Sequence, residues 1–414
     1  MRIIHIGTGV VTVPSSDSSA GVEEYVFELA DKQARLGHLV EVIDLIGSEA
    51  VEDRRRRSSA HFIEFNLNSR LARMRMSIPS PLVKYAIGRF QTLVFSVFAS
   101  LYLFGLLRRQ VVDIIHAHDG TVALSAVFVS RLMGGRTKVV LTIHSSIFSK
   151  YDSATAEKLL YASEYLALKN ADYIFAVSET ARNVAVKYGA NPARTSCIVG
   201  GVSLGGPNPS SNRRKQVLTH GFALCTGTIS HRKNQLTAIK ATADIIAELP
   251  DFVLVLAGRI ADARYYNEIS SYISVRHLTR NVKLVGNVSK EKLIELYQTA
   301  TMFVFPTLSD ISPASLKEAL YFGLPIVASN IPGVSDLFSL EPGAAILANP
   351  EDESGFARAM QRIWADRDLR ETMSLKSGSL GRQLSYENVA AQTIVCYRRL
   401  LRGSQLQFVG QVIG

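Results

Sequence analysis

The sequence predicts an α/β protein with two doubly wound parallel sheets in tandem. Short runs rich in β-branched residues alternate with helical segments, which is typical of a parallel sheet covered by helices on both faces. The chain has 414 residues, more than one hydrophobic core usually holds. A stretch rich in Gly, Pro, Ser and Asn begins near Gly200 and separates two such series of elements.

The first series starts with a strand at residues 3–6 and a helix at 22–36, which Gly37 ends. The apolar side chains of this helix recur at helical spacing. We therefore expect a Rossmann-like domain at residues 1–205, followed by a linker at 206–213. The further strands predicted in this domain are 40–45, 111–115, 138–143 and 173–177.

The second series starts with a strand at residues 223–226 and a helix at 234–249, and it predicts a second Rossmann-like domain at 214–385. A final helix at 386–402 is expected to pack back on the first domain, before a loosely ordered tail at 403–414. The further strands predicted in the second domain are 253–257, 282–285, 302–305 and 326–328.

The composition excludes a disordered chain, because 47% of the residues are hydrophobic and only 20% are charged. Three widely spaced cysteines predict neither a disulfide framework nor a zinc site, and they favour a reducing compartment. The apolar part of the amino terminus is too short for a secretory signal. We therefore expect a cytoplasmic protein.

Two features bear on membranes. The apolar run at residues 93–107 is shorter than the ~20 residues that a spanning helix needs, so it predicts a core helix or, as the alternative, an interfacial one. The net charge of +10 is concentrated in an arginine run at 54–57 and the basic residues that follow it. This half can meet anionic lipid or a phosphorylated substrate, or it can be a solvated loop. These following basic residues are Arg70, Arg73, Arg75, Lys84 and Arg89.

In the first series, two kinds of candidate binding residue follow the predicted strands: small residues after the first strand, and histidines after later strands. Residues 15–20 and Gly21 precede the first helix, where small side chains let a phosphate approach the backbone amides; a flexible loop with a helix cap is the alternative. Alternation places His116 and His118 on one side of the chain, so that one can be packed while the other faces a ligand. His144 follows the next strand. Three histidines can bind a metal, but a ligand with hydroxyl and phosphate groups needs only hydrogen-bond donors here, so we predict no metal site.

The segment G-T-I-S-H-R-K-N, residues 227–234, joins the first strand and first helix of the second series. Arg232 and Lys233 lie at the helix start, where cations oppose the helix dipole unless an anion is present. Two fixed cations beside helix amides can hold a diphosphate and stabilise the charge that it gains on leaving. A solvated surface pair is the alternative.

Asp310 and Glu318 are eight residues apart, the first in a loop after the strand at 302–305 and the second in the helix that follows. Ionised carboxylates accept hydrogen bonds from hydroxyls, and the exposed amides at a helix start suit an anion. The pair predicts a ligand that carries both groups, such as a sugar nucleotide. A helix cap with a surface glutamate is the alternative.

Taken in order, these segments resemble the retaining glycosyltransferases of family 4, group 1, over nearly the whole chain. In the first half the resemblance rests on G-V-E-E-Y-V-F-E-L-A, D-I-I-H-A-H and T-I-H-S. In the second half it rests on G-T-I-S-H-R-K-N, the D-x7-E segment and F-G-L-P-I-V-A-S. It implies the GT-B architecture, in which two Rossmann-like domains face each other across a cleft. The first domain would bind the acceptor and the second the nucleotide sugar.

The resemblance also implies catalytic roles. Lys233 and Arg232 would hold the diphosphate, and His118 would line the sugar site. Asp310 would lie near the donor sugar, and Glu318 would bind the ribose hydroxyls. Other donor-binding residues that it implies are Gly21, His144, Gly227, Asn287, Ile311, Ser312, Pro313 and Ala314.

Two positions depart from the family pattern. Asp310 stands where the family has glutamate, so its side chain is one methylene shorter. Thr228 stands where many relatives have arginine, and Arg232 is the substitute that this chain offers.

We therefore expect transfer of a hexose from a UDP or GDP sugar to an acceptor hydroxyl, with retained anomeric configuration and without a metal or other cofactor. The acceptor would be a sugar, a glycolipid or a polyprenyl-linked sugar, in bacterial polysaccharide or glycolipid assembly. The basic stretch favours peripheral contact with an anionic membrane at the inner face of the cytoplasmic membrane, and no nucleic-acid partner. The alternatives are a GT-B sugar-nucleotide epimerase and a non-catalytic sugar-nucleotide-binding protein.

Overall fold

A computed structural model of the protein describes residues 1–14, 21–67, 81–144, 162–202 and 221–403. The chain divides into two compact units, Met1–Gly200 with Tyr386–Gly414, and Gly201–Ser385. Each unit has its own parallel sheet with interleaved helices, which confirms the predicted fold class. The predicted linker at 206–213 lies outside the described residues, as does the predicted tail apart from Gly403.

The first unit alternates strands and helices. Its strands are β1 (Arg2–Ile6), β2 (Leu39–Leu45), β3 (His61–Phe65), β4 (Ile114–Ala117), β5 (Lys138–Ile143), β6 (Tyr173–Ala176) and β7 (Thr195–Cys197). Its helices up to β7 are α1 (Gly21–Arg35), α2 (Glu49–Arg56), α3 (Pro81–Leu107), α4 (Gly120–Leu132), α5 (Ala162–Asn170) and α6 (Glu179–Lys187). The strands form one parallel sheet in the order β3-β2-β1-β4-β5-β6-β7.

The second unit repeats this plan. Its strands are β8 (Ala223–Thr226), β9 (Leu254–Ala257), β10 (Val282–Gly286), β11 (Met302–Phe305), β12 (Ile326–Ser329) and β13 (Ala345–Ala348). Its helices are α7 (Gln235–Ile245), α8 (Ala263–Val275), α9 (Lys290–Thr299), α10 (Ala314–Tyr321), α11 (Pro332–Phe338), α12 (Glu353–Ala365) and α13 (Arg367–Gln383). The sheet order is β10-β9-β8-β11-β12-β13.

Both sheets change direction of winding beside their first strand. In each unit the first strand is flanked by the second and by the fourth, so β1 lies next to β4 and β8 lies next to β11. Ligands of such sheets bind at the carboxyl ends of the strands, at the point where the strand order reverses. We therefore expect ligand-binding residues in the loops after β1, β4, β8 and β11.

Each face of the first sheet has its own helix layer. Ile4, Ile6 and Ile115 pack with α3, α4 and α5 on one face. Ile3 and Val140 pack on the other face with α1 and with the last helix of the chain, α14 (Tyr386–Leu401). Because neighbouring strand residues point to opposite faces, strands covered on both sides are apolar without interruption. The last helix therefore belongs to the core of the first unit.

The predicted strand at residues 111–115 is displaced, by three residues at its start and by two at its end. The strand β4 instead runs from Ile114 to Ala117, and all four of its residues are fully buried. His116 is therefore a strand residue in the core, where the sequence predicted a loop residue. The short strands β3, β7 and β13 were not predicted, because none of them is buried along its whole length.

The long helix α3 has some polar side chains on its buried face and several apolar side chains on its exposed face. Its buried face contains the polar side chains Gln91, Thr92 and Ser96 beside the apolar core residues. Its exposed face carries large apolar side chains, each more than half exposed, at Phe90, Leu93, Val97 and Leu101. The predicted core helix thus has one face in the core and one apolar face in solvent.

This helix also contains the segment Ala86–Leu107, the one described segment that is long and apolar enough to cross a membrane, with a mean hydropathy of 1.8. Phe95, Ala99 and Leu103 on its buried face pack in the core of the first unit. Because that face already has protein neighbours, we interpret α3 as a helix that lies along the surface of its unit.

The arginine run is not a uniform cationic surface. Arg55 is buried and its guanidinium lies 2.5 Å from Asp44 and 2.5 Å from Glu64. Arg54 pairs with Glu24 at 2.7 Å, whereas the side chain of Arg56 is exposed. The interpretation of this run as a solvated loop is wrong for Arg55, because its side chain points from α2 into the core.

The basic residues that follow the run are only partly described. Arg70, Arg73, Arg75 and the side chain of Lys84 lie outside the described part of the structure. Arg89 pairs with Asp119 and Glu164.

Replacing Arg55 with alanine should lower the free energy of unfolding by about 3–5 kcal/mol, because it leaves the buried Asp44 carboxylate without its cation. Arg56→Ala, on the same helix but exposed, is the matched control and should cost less than about 0.5 kcal/mol. Urea denaturation of both variants measures the difference. Equal losses would contradict the assignment of Arg55 to the core.

Candidate functional site

A chain of histidines lies at the switch point of the first sheet. His5 of β1 and His116 of β4 are paired across the sheet, and His118 follows β4. All three are buried. The Nδ1 atom of His5 lies 3.1 Å from Nε2 of His118, and Nδ1 of His118 lies 3.1 Å from Nε2 of His144. Two predicted donor-site residues, His118 and His144, are thus brought into contact.

The direction of these hydrogen bonds follows from helix α14. The Thr393 hydroxyl donates to the backbone oxygen of Ala390, so it accepts from Nε2 of Gln33. The amide oxygen of Gln33 then faces His5, 2.8 Å from its Nε2, and that nitrogen must carry the proton. In a neutral ring Nδ1 of His5 is therefore an acceptor.

His118 donates to His5 from Nε2, and His144 donates to Nδ1 of His118. Burial lowers the pKa of His5 to about 4 and lowers the pKa of His118 well below its ordinary value, so both rings are neutral at pH 7. Both nitrogens of His118 are used by neighbouring histidines. His144, which is partly exposed, is the member of the chain nearest to solvent.

His5, His116 and His118 also lie close enough to share a metal ion, their ligand atoms being within 4.8 Å of one another. Both nitrogens of His116 have hydroxyl partners, however: Tyr397 lies 2.6 Å from Nδ1 and Thr142 lies 2.6 Å from Nε2. A metal would have to displace one of these short bonds. We therefore interpret the group as a hydrogen-bond network that ties β1 and β4 to α14.

The switch point of the second sheet carries charge. The loop after β8 contains Arg232 and Lys233, and the loop after β11 contains Asp310. Nζ of Lys233 lies 2.6 Å from Oδ2 of Asp310, and Nη1 of Arg232 lies 3.3 Å from the same oxygen. The structure therefore brings together three residues that the sequence assigned to the donor site.

The two loops are also joined through their backbones. The carbonyl oxygen of Arg232 accepts from the amide of Leu308 at 2.9 Å, and its guanidinium donates to the carbonyl oxygen of Ser309 at 2.6 Å. Burial raises the pKa of Asp310, but Lys233 and Arg232 outweigh burial, so the pKa is lowered and the carboxylate is charged. The cations are thus held at fixed places beside the start of α10.

Glu318, in the middle of α10, is held by a residue that the sequence did not single out. Oε2 of Glu318 accepts from the Tyr297 hydroxyl at 2.8 Å, and that hydroxyl also lies 2.6 Å from Thr226 Oγ1. Burial raises the pKa of Glu318, and the bond from Tyr297 opposes that rise. From the sequence, the apolar pattern indicates only that Tyr297 is a core residue. Its contact with Glu318 is not visible there, because the two residues are 21 positions apart.

Lys317 is a second residue that the sequence did not reveal. Although it is a lysine, it is buried, and its Nζ donates to Ser312 Oγ at 3.2 Å. Burial lowers its pKa to about 8, while Asp310 and Glu318 oppose that effect. The loop that opens α10 is thus contacted by a third basic side chain, in addition to Arg232 and Lys233.

The other predicted donor-site residues lie on these same elements. Gly21 is the first residue of α1, and an added Cβ there would meet no other atom within 4 Å. Gly227 directly follows β8 beside the Lys233 side chain. Asn287 follows the edge strand β10 and is exposed. Ile311, Ser312 and Pro313 form the loop before α10, whose first residue is Ala314.

Two solved structures share this fold over almost their whole length. Sucrose-phosphate synthase from Thermosynechococcus elongatus superposes with a TM-score of 0.73 at 21% identity, covering 98% of this chain and 100% of the other. HepE of Anabaena, solved in complex with UDP, superposes with a TM-score of 0.70 at 17% identity, covering 96% and 100%. The fold is therefore the GT-B architecture of two Rossmann-like domains. That the two domains enclose a cleft stays a prediction.

Sequence comparison identifies the family. Residues 19–205 match the model described as Glycosyltransferase Family 4, and residues 210–377 match the model described as Glycosyl transferases group 1. The chain is 25% identical over 276 residues to O-antigen chain mannosyltransferase B of Escherichia coli, covering 64% of this chain and 71% of that relative. It is 26% identical over 279 residues to an α-1,3-galactosyltransferase of the same organism, covering 64% and 70%. The chain belongs to the group 1, family 4 glycosyltransferases, and it is a glycosyltransferase.

Replacing Tyr297 with phenylalanine should raise the pKa of Glu318 further, because it removes the hydrogen bond that stabilises the charged carboxylate. The variant should be less stable than the parent above that pKa, and the difference should shrink as the pH falls and Glu318 is protonated. NMR titration of labelled glutamate measures the pKa. Tyr266→Phe, a partly buried tyrosine of α8 in the same unit, is the control, and an equal shift there would contradict the assignment.

Proposed function

We propose that this glycosyltransferase moves a hexose from a UDP or GDP sugar to an acceptor hydroxyl with retention of anomeric configuration. The observation that carries the proposal is the pair of cations, Arg232 and Lys233, held in place beside the start of α10. A leaving diphosphate gains negative charge, and fixed cations stabilise that charge without reorganising. No metal or other cofactor is needed in this scheme, because the two side chains supply the positive charge.

The nucleotide would be bound by the same helix. Glu318 presents its carboxylate from α10, and its Oε2 is oriented by Tyr297. We assign it to the ribose hydroxyls, because an ionised carboxylate accepts two hydrogen bonds from a diol. The helix starts at Ala314 after Pro313, which makes no side-chain cap, so its first amides can donate to the phosphates.

The state of Asp310 bears on the route by which we propose that configuration is retained. It is the carboxylate nearest to the cations, and both of them bind it, which lowers its pKa and weakens it as a nucleophile. We therefore propose displacement on the same face of the sugar, in which the departing diphosphate assists the incoming hydroxyl. A covalent glycosyl intermediate on Asp310 is disfavoured.

The acceptor is proposed from the relatives. One is an O-antigen chain mannosyltransferase and another transfers galactose to GlcNAc-diphosphoundecaprenol, so both build bacterial glycans. We propose that this chain also acts in bacterial surface polysaccharide or glycolipid assembly, on a sugar, glycolipid or polyprenyl-linked acceptor.

We further propose that the protein binds an anionic membrane peripherally, at the inner face of the cytoplasmic membrane, through the exposed face of α3. The apolar side chains Phe90, Leu93, Val97 and Leu101 recur at helical spacing and form one stripe. No acidic residue lies between positions 81 and 112, and Arg108 and Arg109, directly after the helix, are exposed. An apolar stripe with arginines at its rim suits an interface with anionic lipid.

Lys233→Ala should lower the turnover of the sugar nucleotide by about 100-fold to 1,000-fold, as the loss of one charge-stabilising donor commonly does. The assay is release of UDP or GDP from a panel of UDP and GDP sugars, with labelled acceptor measured in parallel. Lys240→Ala, which removes a surface ion pair of α7 with Glu353, is the control and should be neutral. Epimerised sugar nucleotide as the product, or binding without turnover, would overturn the proposal.

A double substitution of Leu93 and Leu101 by glutamine should lower binding to phosphatidylglycerol vesicles by about tenfold or more, because each leucine contributes roughly 1.5–3 kcal/mol when buried in an apolar phase. Co-sedimentation measures the binding. The matched control replaces Val275 and Leu375, two exposed apolar residues of the second unit, and should change nothing. Unchanged vesicle binding, or a monomer–dimer shift of the variant in sedimentation, would contradict the membrane assignment.

A further inference from the structure

We infer that Asp310 is a positioning residue for Lys233 and Arg232, and that its carboxylate does not bind the donor sugar. The inference rests on the proposed function, because it assigns a role within the same donor site. It departs from the role that family resemblance implies for this position, and the geometry of the carboxylate carries it.

Both oxygens of Asp310 are engaged within its own unit. Oδ2 accepts from Nζ of Lys233 at 2.6 Å and from Nη1 of Arg232 at 3.3 Å. Oδ1 accepts from the amide of Ile311 at 2.9 Å. One oxygen therefore binds the cations while the other fixes the carboxylate to the backbone of its own loop.

The backbone that carries Asp310 is itself fixed. An added Cβ at Gly333 would lie 2.1 Å from the carbonyl oxygen of Asp310, so the start of α11 packs directly on this peptide. On the other side, Arg232 bonds the backbone of Leu308 and Ser309. The loop that carries the carboxylate is therefore held by two elements, so the place from which Asp310 reaches the cations is fixed.

Side-chain length points the same way. The family pattern has glutamate at this position, and one more methylene would extend the carboxylate by roughly 1.5 Å. The carboxylate of the shorter aspartate lies within hydrogen-bond distance of Lys233. We therefore expect aspartate at this position to contact the cations, where the longer glutamate would extend farther from the backbone.

The ion pair of Lys233 and Asp310 is largely shielded from solvent. Only 13% of the Lys233 side chain and 16% of the Asp310 side chain are exposed, whereas 54% of the Arg232 side chain is exposed. A charge-assisted bond at this depth holds the ammonium in place, whereas an exposed pair would contribute little. We expect Asp310 to act mainly through Lys233.

Comparing ligands with and without the sugar tests this inference. Affinities of UDP and UDP-glucose, and of GDP and GDP-mannose, are measured by calorimetry for the parent and for Asp310→Asn. If Asp310 positions the cations, the variant should change the affinities of diphosphate and sugar diphosphate by the same factor, so their ratio stays within about twofold. If Asp310 binds the sugar, the ratio should fall by about fivefold or more, because a hydrogen bond to a charged group is lost.

A double-mutant cycle excludes a purely structural effect. Asp310→Asn should lower the donor turnover rate of the parent at least tenfold, and it should lower the rate of Lys233→Ala less than twofold, because the cation that it positions is absent. A structural defect would lower both rates equally. Asp251→Asn, at an exposed ion pair of the same unit, is the control.

The outcomes separate the two proposals. If none of the four nucleotides binds the parent protein, the proposed function fails and this inference fails with it. If they bind but the affinity ratio falls in Asp310→Asn, or the two turnover effects are additive, the function stands and the positioning role is wrong.

Discussion

The strand order of the two sheets is the constraint on which the rest of the structure depends. In each unit the first strand lies between the second and the fourth, so the loops after the first and fourth strands meet at one edge. In the first unit this edge gathers His5 and His118, and in the second it gathers Lys233 and Asp310. Residues more than seventy positions apart become neighbours because a parallel sheet aligns its carboxyl ends.

This alignment explains what could be predicted from the sequence and what could not. The apolar strands and the residues at their carboxyl ends follow local patterns, so the fold class and the places of Lys233 and Asp310 could be predicted. Tyr297 reaches Glu318 from another helix, and no spacing rule connects them. The inward direction of Arg55 has the same origin, since its partner Asp44 lies on a neighbouring strand. Contacts between elements decide these cases, and a linear pattern does not contain them.

Charge compensation inside each unit changes how the basic composition is understood. The net charge of +10 suggested a basic first half, but Arg54, Arg55 and Arg89 each have carboxylate partners. Among the described side chains of that half, the cations best placed to meet an anionic surface are at the end of α3. The apolar face of that helix, rather than the arginine run, is therefore the stronger reason to consider a membrane.

The two switch points handle polarity in opposite ways. In the first unit, neutral histidines satisfy one another, and burial is tolerated because no ring has to carry charge. In the second, a charged carboxylate is kept ionised by two cations. The first edge therefore fixes its rings through neutral donors and acceptors alone. The second edge fixes its cations through an opposite charge, as the positioning role proposed for Asp310 requires.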